Sequence, residues 1–559
     1  MARTPLNLIR WLFDRDSGPR DRFAPRWIFL RALAGIYFSA FLALFFQIRG
    51  LIGPEGILPA GRLLEAIQRQ APGMVRFWYA PTLFWFSSSA HAMMVVVWLG
   101  LIASVLAFVN VWPRLSLFVC FVCFLSFVSA AGEFSGYQSD GMLLEAGFLS
   151  LFYAPRGLWP GWGIDSPPPR AALFLLQWEW FRIYFESGIV KLLSGDPEWR
   201  HLTAMDQYYQ NGPLPTFIGW YVQHFPHWFQ VASAGGTLVI ELAVVWLLFL
   251  PRPIRVLCFW IVTPWEIGVI LTANYAFLNY LVLFLGFLLL DDRSLLSWIP
   301  VRFRHPLESQ VPRESVSVAA ERLSVLTTPE WETQSRGRGE ESEEPGVVRG
   351  IAGHLRAVRI AVSAVLLTWI AYATTGELVR MPWPDFPLFT LPIATLEPFR
   401  VANQYGLFAV MTRGRYEIEF QGSNDGQTWT PYLFLHKPQA VNEAPGIYAP
   451  YQPRFDWNLW FASLTDFQNA EIVPLTEERL LEGDADVISL FKSTPFPGTP
   501  PKYVRAVLWQ YWFTSLDEKS LNGDWWRRSL IGLYAPVLTR DPNGKFVVVQ
   551  WPEPLPPHD

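Results

Sequence analysis

Residues 171–193 read AALFLLQWEWFRIYFESGIVKLL, a run long enough to cross a bilayer that nonetheless carries Glu179, Arg182, Glu186 and Lys191. About 20 mostly apolar residues suffice to cross, and each ionisable side chain near the middle costs about 2.5–3.5 kcal/mol on insertion scales. Such charges survive when paired inside a packed bundle, and rarely facing lipid. Glu179 and Arg182 stand i,i+3 and Arg182 and Glu186 i,i+4, so the three share one helical face and can neutralise one another. The segment is therefore expected inside a multi-helix membrane domain, and its polar face is the first place to look for function.

Composition agrees with that placement. Charged residues make up 16% of the 559-residue chain and hydrophobic ones 51%, whereas soluble domains carry roughly 25% charge. The formal net charge of −4 gives no general basic character, so nucleic acid is not expected as a partner. Cys120, Cys123 and Cys258 all lie in apolar runs. The Cys120-x-x-Cys123 spacing is that of redox and metal motifs, but its setting, LFVCFVCFLSF, offers no cation to stabilise a thiolate, so both thiols read as small packing groups.

Apolar runs suited to spans lie near 27–47, 91–111, 115–131, 142–154, 171–193, 233–250, 254–272, 276–290 and 357–373. Counted as crossings from a cytoplasmic N-terminus, they put the arginine-rich residues 1–26, Arg114, Arg156, Arg170, Arg252 and Arg255 on the inner side, as the positive-inside rule requires. The outer loop 48–90 runs against the pattern with Arg49, Arg62, Arg69 and Arg76. The expected organisation is a basic cytoplasmic tail (1–26), a polytopic helical membrane domain of about eight spans (27–299), a linker (300–352), a last transmembrane helix (353–374) and a periplasmic or luminal domain (375–559). The linker contains SRGRGEESEEPG and too few apolar residues to offset chain entropy, so disorder is expected there. No Asn opens an Asn-x-Ser/Thr sequon, which favours a bacterial inner membrane over the endoplasmic reticulum membrane of a eukaryotic host.

After the last span the texture changes to short β-prone runs. Residues 416–420 and 428–434, around the turn Gly422-Ser423-Asn424-Asp425-Gly426, predict two alternating strands, and 503–513 and 546–551 predict two more. Helices are expected over 457–464 and 475–491. The fold class is thus an α-helical polytopic membrane domain followed by a soluble α+β domain with a β-sandwich-like antiparallel sheet.

Arg31, Glu145, Glu179, Arg182, Glu186, Glu241 and Glu266 all fall within spans and are expected to form one buried polar network, Arg31 helping to neutralise the carboxylates. Lys191, near the outer end of its span, is read as snorkelling to the interface with its amine in water. If buried instead, it could pair with a carboxylate or act as a base. His224 and His227 are the nearest approach to a metal pair, and Pro226 between them argues for a loop, so no metal is expected. The long aromatic loop 194–232 reads as an interfacial belt or as a docking surface for the C-terminal domain. Trp457, Trp460, Trp512, Trp525 and Trp526 are candidates for binding a client protein, if a subset of them is exposed as one patch.

Several segments resemble the lipase maturation factor family: QSDGMLLEAGFLSLFYAPR (138–156), FRIYFESGIVKLLSGDPEWRHLTAMDQYYQNGPLP (181–215), PFRVANQYGLFAVMTRGRYEIEFQGSNDGQTW (398–429), PRFDWNLWFASL (453–464), STPFPGTPPKYVRAVLWQYWF (493–513) and GDWWRRSLIGLYAPVL (523–538). The resemblance runs from about residue 27 to 540 in the family's order. It implies a membrane-anchored factor that helps exported client proteins, lipases or other hydrolases, reach their folded state. That role requires no catalytic residue and no cofactor. A second similarity, Tyr184-Phe185-x-x-Gly188-x-x-Lys191-Leu192 followed by Trp199, is to the membrane domain of vitamin K-dependent gamma-carboxylase and its bacterial relatives. It implies an alternative, a membrane enzyme using Lys191 as base with Glu186 as its acidic partner. A structural membrane scaffold is the third possibility. In all three the bilayer is a partner.

Overall fold

Each apolar run named above folds as helix in the computed structural model, which describes residues 5–300, 302, 304 and 346–554. The stretch 305–345 of the expected linker lies outside the described residues. We label the principal helices α1 (Phe23–Ile52), α2 (Ala90–Phe108), α3 (Pro113–Val128), α4 (Gln138–Tyr153), α5 (Arg170–Leu193), α6 (His227–Leu242), α7 (Arg252–Thr272), α8 (Leu278–Gly286) and α9 (Gly346–Arg380). Local chemistry sets their starts. Ser89 Oγ accepts from the N–H of Ala92 at 3.2 Å to open α2, and Pro113 occupies the first turn of α3, where its missing N–H is not needed.

Among the described residues, five helices are long and apolar enough to cross a membrane: Phe23–Ile52, Ala90–Phe108, His227–Phe249, Arg252–Thr272 and Gly353–Arg380. Helix α4, with 16 residues, rises about 24 Å, short of the roughly 30 Å hydrocarbon core. Most of its residues are buried, so its length need not match the lipid. Helix α5 is likewise buried over most of its length, Glu179, Arg182, Glu186 and Lys191 included.

The C-terminal part is α+β. Its strands are β1 (Arg415–Ser423), β2 (Thr430–Pro431), β3 (Leu433–Phe434), β4 (Phe491–Ser493), β5 (Tyr503–Phe513), β6 (Trp526–Leu533), β7 (Val537–Arg540) and β8 (Phe546–Gln550). The main sheet runs β2-β1-β5-β7-β8, with β6 also on β5, and β3 and β4 form a second, small ladder. β1 and β5 pair antiparallel from Arg415↔Tyr511 to Ser423↔Tyr503. The predicted Asp-Gly hairpin is present, although its second strand is only two residues long. The sequence reading passed over β6 and β7. β1 is buried on both faces: Ile418 and Phe420 lie in the apolar core, and Glu417 and Glu419 on the opposite face meet Lys437 and Arg528. Helices α10 (Arg454–Ala462) and α11 (Ile472–Glu482) cover the sheet; the first lies close to its predicted position, whereas the helix expected over 475–491 ends at Gly483 and Phe491 opens β4.

Candidate functional site

The charged face of α5 reads the main chain of residues 403–411, a segment that leaves α9 and enters the helical bundle before β1 begins. Arg182 is the hub. It forms a buried ion pair with Glu145 of α4, lies 3.8 Å from Glu186, donates to the carbonyl of Asn403 at 2.6 Å and sits over the Tyr405 ring at 5.0 Å. Glu145 Oε2 accepts from the Tyr405 hydroxyl at 2.8 Å and from the Asn403 N–H and amide, each at 3.2 Å. Glu186 accepts the Tyr405 N–H at 2.5 Å, and Gln138 and the Ser187 hydroxyl accept those of Gly406 and Leu407. Further along, Trp199 Nε1 donates to the Phe408 carbonyl at 2.9 Å and Asp196 accepts the Met411 N–H at 2.7 Å. Backbone buried among helices must find such partners, and side chains of α4, α5 and the turn after α5 supply them.

Glycines set the spacing. A Cβ on Gly141 would lie 2.9 Å from Asn403 Oδ1, so α4 can receive that side chain only where it has none of its own. A Cβ on Gly188 would lie 2.9 Å from Cβ of Glu241, and the close approach of α5 and α6 there brings Glu241 within reach of Lys191 one turn further on.

Three of the sequence readings are corrected. Lys191 does not snorkel: it is buried, donates to both carboxylate oxygens of Glu241 at 2.8 and 2.9 Å and to the carbonyls of Ser187 and Leu407, and lies 5.0 Å from the Trp199 ring. Its acidic neighbour is Glu241 of α6, while Glu186 belongs to the Arg182 cluster. Arg31 joins no carboxylate among the described residues. Its guanidinium stacks over Trp27 at 4.9 Å, and Nε and Nη2 have no hydrogen-bond partner among the described residues. Arg182 and the N–H groups of Asn403 and Tyr405 meet Glu145 and Glu186 instead.

The remaining carboxylates divide. Glu266 accepts from the Tyr184 hydroxyl at 2.6 Å. Glu179 is fully buried, with no cation or hydroxyl within hydrogen-bond distance among the described residues. No group of three or more His, Cys, Asp or Glu side chains able to hold a metal occurs among the described residues. His224 binds the carbonyls of Trp220 and Thr514, and His227 faces Asp206. All three cysteines are buried free thiols.

The loop 194–232 docks the C-terminal domain. Trp220 packs on Trp525 with ring centroids 5.2 Å apart, Tyr208 packs on Phe408, and the Phe217 N–H donates to the Pro445 carbonyl at 3.0 Å. Sequence reasoning missed two further anchors. Arg454 clamps Asp140 of α4 with two hydrogen bonds of 2.8 Å, and Arg415 caps the carbonyls of Gln210, Gly212 and Pro213. A polar residue set among aromatics, as Arg454 is in PRFDWNLW, was the available signal.

The tryptophans do not form an exposed patch. Trp457 and Trp526 are buried, and Trp460, Trp512 and Trp525 are only partly accessible, so packing takes the surface expected to be free. Exposed apolar residues of the sheet are Leu530 on β6 and, at the β8 edge, Val547, Val549 and the following Trp551, which is 64% exposed.

This chain matches the family model described as lipase maturation factor transmembrane domain over residues 24–297, and the lipase maturation factor C-terminal domain over 401–536. It is 33% identical to lipase maturation factor 2 of Gallus gallus, over 92% of this chain and 81% of that protein. Lipase maturation factor 2 of Homo sapiens is 30% identical, over 94% and 84%, and lipase maturation factor 1 of Bos taurus 29%, over 95% and 92%. No solved structure matches. With both halves matched in order and the helices of a multi-pass membrane protein in place, the chain belongs to the lipase maturation factor family.

Proposed function

We propose that this protein is a membrane-anchored maturation factor whose C-terminal domain faces the export compartment, the periplasm or the lumen, and holds exported clients while they fold or assemble. The names of its relatives make lipase-like hydrolases the first clients to test. The role works by affinity and requires no catalytic side chain.

The observation that carries this reading is the edge strand β8. It pairs with β7 on one side and ends the sheet on the other, and Val547, Val549 and Trp551 are exposed along it. Soluble proteins ordinarily blunt such an edge with charge, proline or a covering element, because its free backbone groups are a template for another strand. An extended client segment can add there, main-chain hydrogen bonds giving affinity and Trp551 serving as an anchor. The alternative role for Lys191, as a base, has less support from the geometry, since its donors are engaged by Glu241 and two carbonyls.

The test is a photo-crosslinking residue placed at position 549 of the full chain in cells exporting a lipase. The expected outcome is a crosslink to the newly exported lipase that Val547→Lys with Trp551→Ala removes. A crosslink unaffected by those changes, or captured only from cytoplasmic proteins, would overturn the proposal.

A further inference from the structure

Helices α5, α6, α7 and α8 surround a cavity of about 600 Å3, a size suited to a small organic ligand. Its wall is mainly apolar, including Ile183, Val269, Val282 and Phe408, with a few polar groups set into it. Two of these, Lys191 and Glu241, satisfy each other.

Two others do not. Glu266 spends Oε2 on the Tyr184 hydroxyl, but its Oε1 has no partner among the described residues, and neither has Nδ2 of Asn279. Both side chains line the cavity and both are buried, at 3% and 7% exposure. A buried acceptor and a buried donor left unpaired in one cavity are unusual in folded proteins. A hydroxyl suits either group, since it can donate to the carboxyl oxygen and accept from the amide. An ammonium could meet Glu266 but would offer the amide no acceptor. A carboxylate head would lie in this apolar cavity without a counter-ion, because the cation lining it, Lys191, is already paired with Glu241.

The body of the ligand follows from the walls. Helices α6 and α7 are both apolar enough to cross the membrane, and a Cβ built on Gly236 or Gly268 would meet nothing within 4 Å. Pro264 interrupts the hydrogen-bond ladder of α7 one turn before Gly268. The wall between these helices therefore has room for a chain lying among apolar side chains. From this geometry we infer that the cavity binds an uncharged amphiphile drawn from the bilayer, its hydroxyl at Glu266 and Asn279 and its hydrocarbon body along α6 and α7. This site stands independently of how the C-terminal domain meets a client.

The test uses the full-length protein in lipid vesicles and three diazirine probes of equal chain length: hexadecanol, hexadecanoic acid and hexadecylamine. Labelled residues are mapped by mass spectrometry. The alcohol is expected to label the cavity wall of α6 and α7 roughly tenfold or more above the acid and the amine, the discrimination of one unmet buried hydrogen bond or charge. Gly268→Leu, at a position with room for a Cβ, puts a side chain into the cavity and should abolish that labelling, with Gly236→Leu as the second variant should the first not fold. Equal labelling by all three probes in the unaltered protein, labelling indifferent to both leucine variants, or labelling confined to residues outside the cavity would overturn the assignment.

Discussion

The Tyr405 hydroxyl donates to Glu145 Oε2 at 2.8 Å, joining two residues 260 positions apart and fixing the chain between α9 and β1 inside the helical bundle. Tyr405→Phe removes this bond while keeping the ring beneath Arg182, and should lower stability by about 1–2 kcal/mol. Arg182→Met should do more, about 3–5 kcal/mol, because it leaves Glu145 and Glu186 buried without their cation. Thermal unfolding of the purified protein in detergent measures both, and limited proteolysis between 380 and 415 should rise in the same order.

Lys191 and Glu241 provide a separate test of whether a buried charge is there for chemistry or for packing. Either single change, Lys191→Met or Glu241→Leu, strands the other charge and should destabilise by about 3–5 kcal/mol, whereas the double variant should recover most of that loss. If maturation of the client returns together with stability in the double variant, the pair is structural. If stability returns without function, the amine has a further role.

Glu477 on α11 is fully buried against the sheet. Burial, with Glu478 adding to it, pushes its carboxyl well above the usual carboxylate range. The folded domain then keeps a proton that the unfolded chain releases. The resulting stability is fully present below the ordinary carboxylate pKa and is eroded as pH rises through and beyond it. Glu477→Gln should raise stability at neutral pH by about 1–3 kcal/mol and flatten this part of the profile. Melting curves from pH 4 to 8 of the two proteins check it.

The helices and the polar face of α5 were legible in the sequence because both signals are local. Apolar length marks a span, and i,i+3 and i,i+4 spacing marks one face. The partners were not legible, because nothing local says that Lys191 will meet Glu241 or that Glu145 will meet Asn403 and Tyr405. Arg31 was assigned by charge balance alone, which cannot know that backbone N–H groups will supply the neutralising dipoles. β6 escaped notice because Arg527 and Arg528 interrupt its alternation, although Arg528 stacks over Trp509 at 4.2 Å and is at home in the sheet. The tryptophans were misplaced for a related reason. Aromatic density predicts burial and binding equally well, and only the docking of Trp525 on Trp220 separates the two.

The edge strand β8 is the proposed site for exported polypeptide. Its most direct measure is the yield of active lipase exported by cells carrying Val547→Lys, Val549→Lys and Trp551→Ala together, with membrane levels of the variant matched to the unaltered protein. Yield should fall to that of cells lacking the protein, while the purified variant melts within about 0.5 kcal/mol of the original, as exposed substitutions do. Undiminished yield from the triple variant would contradict the account.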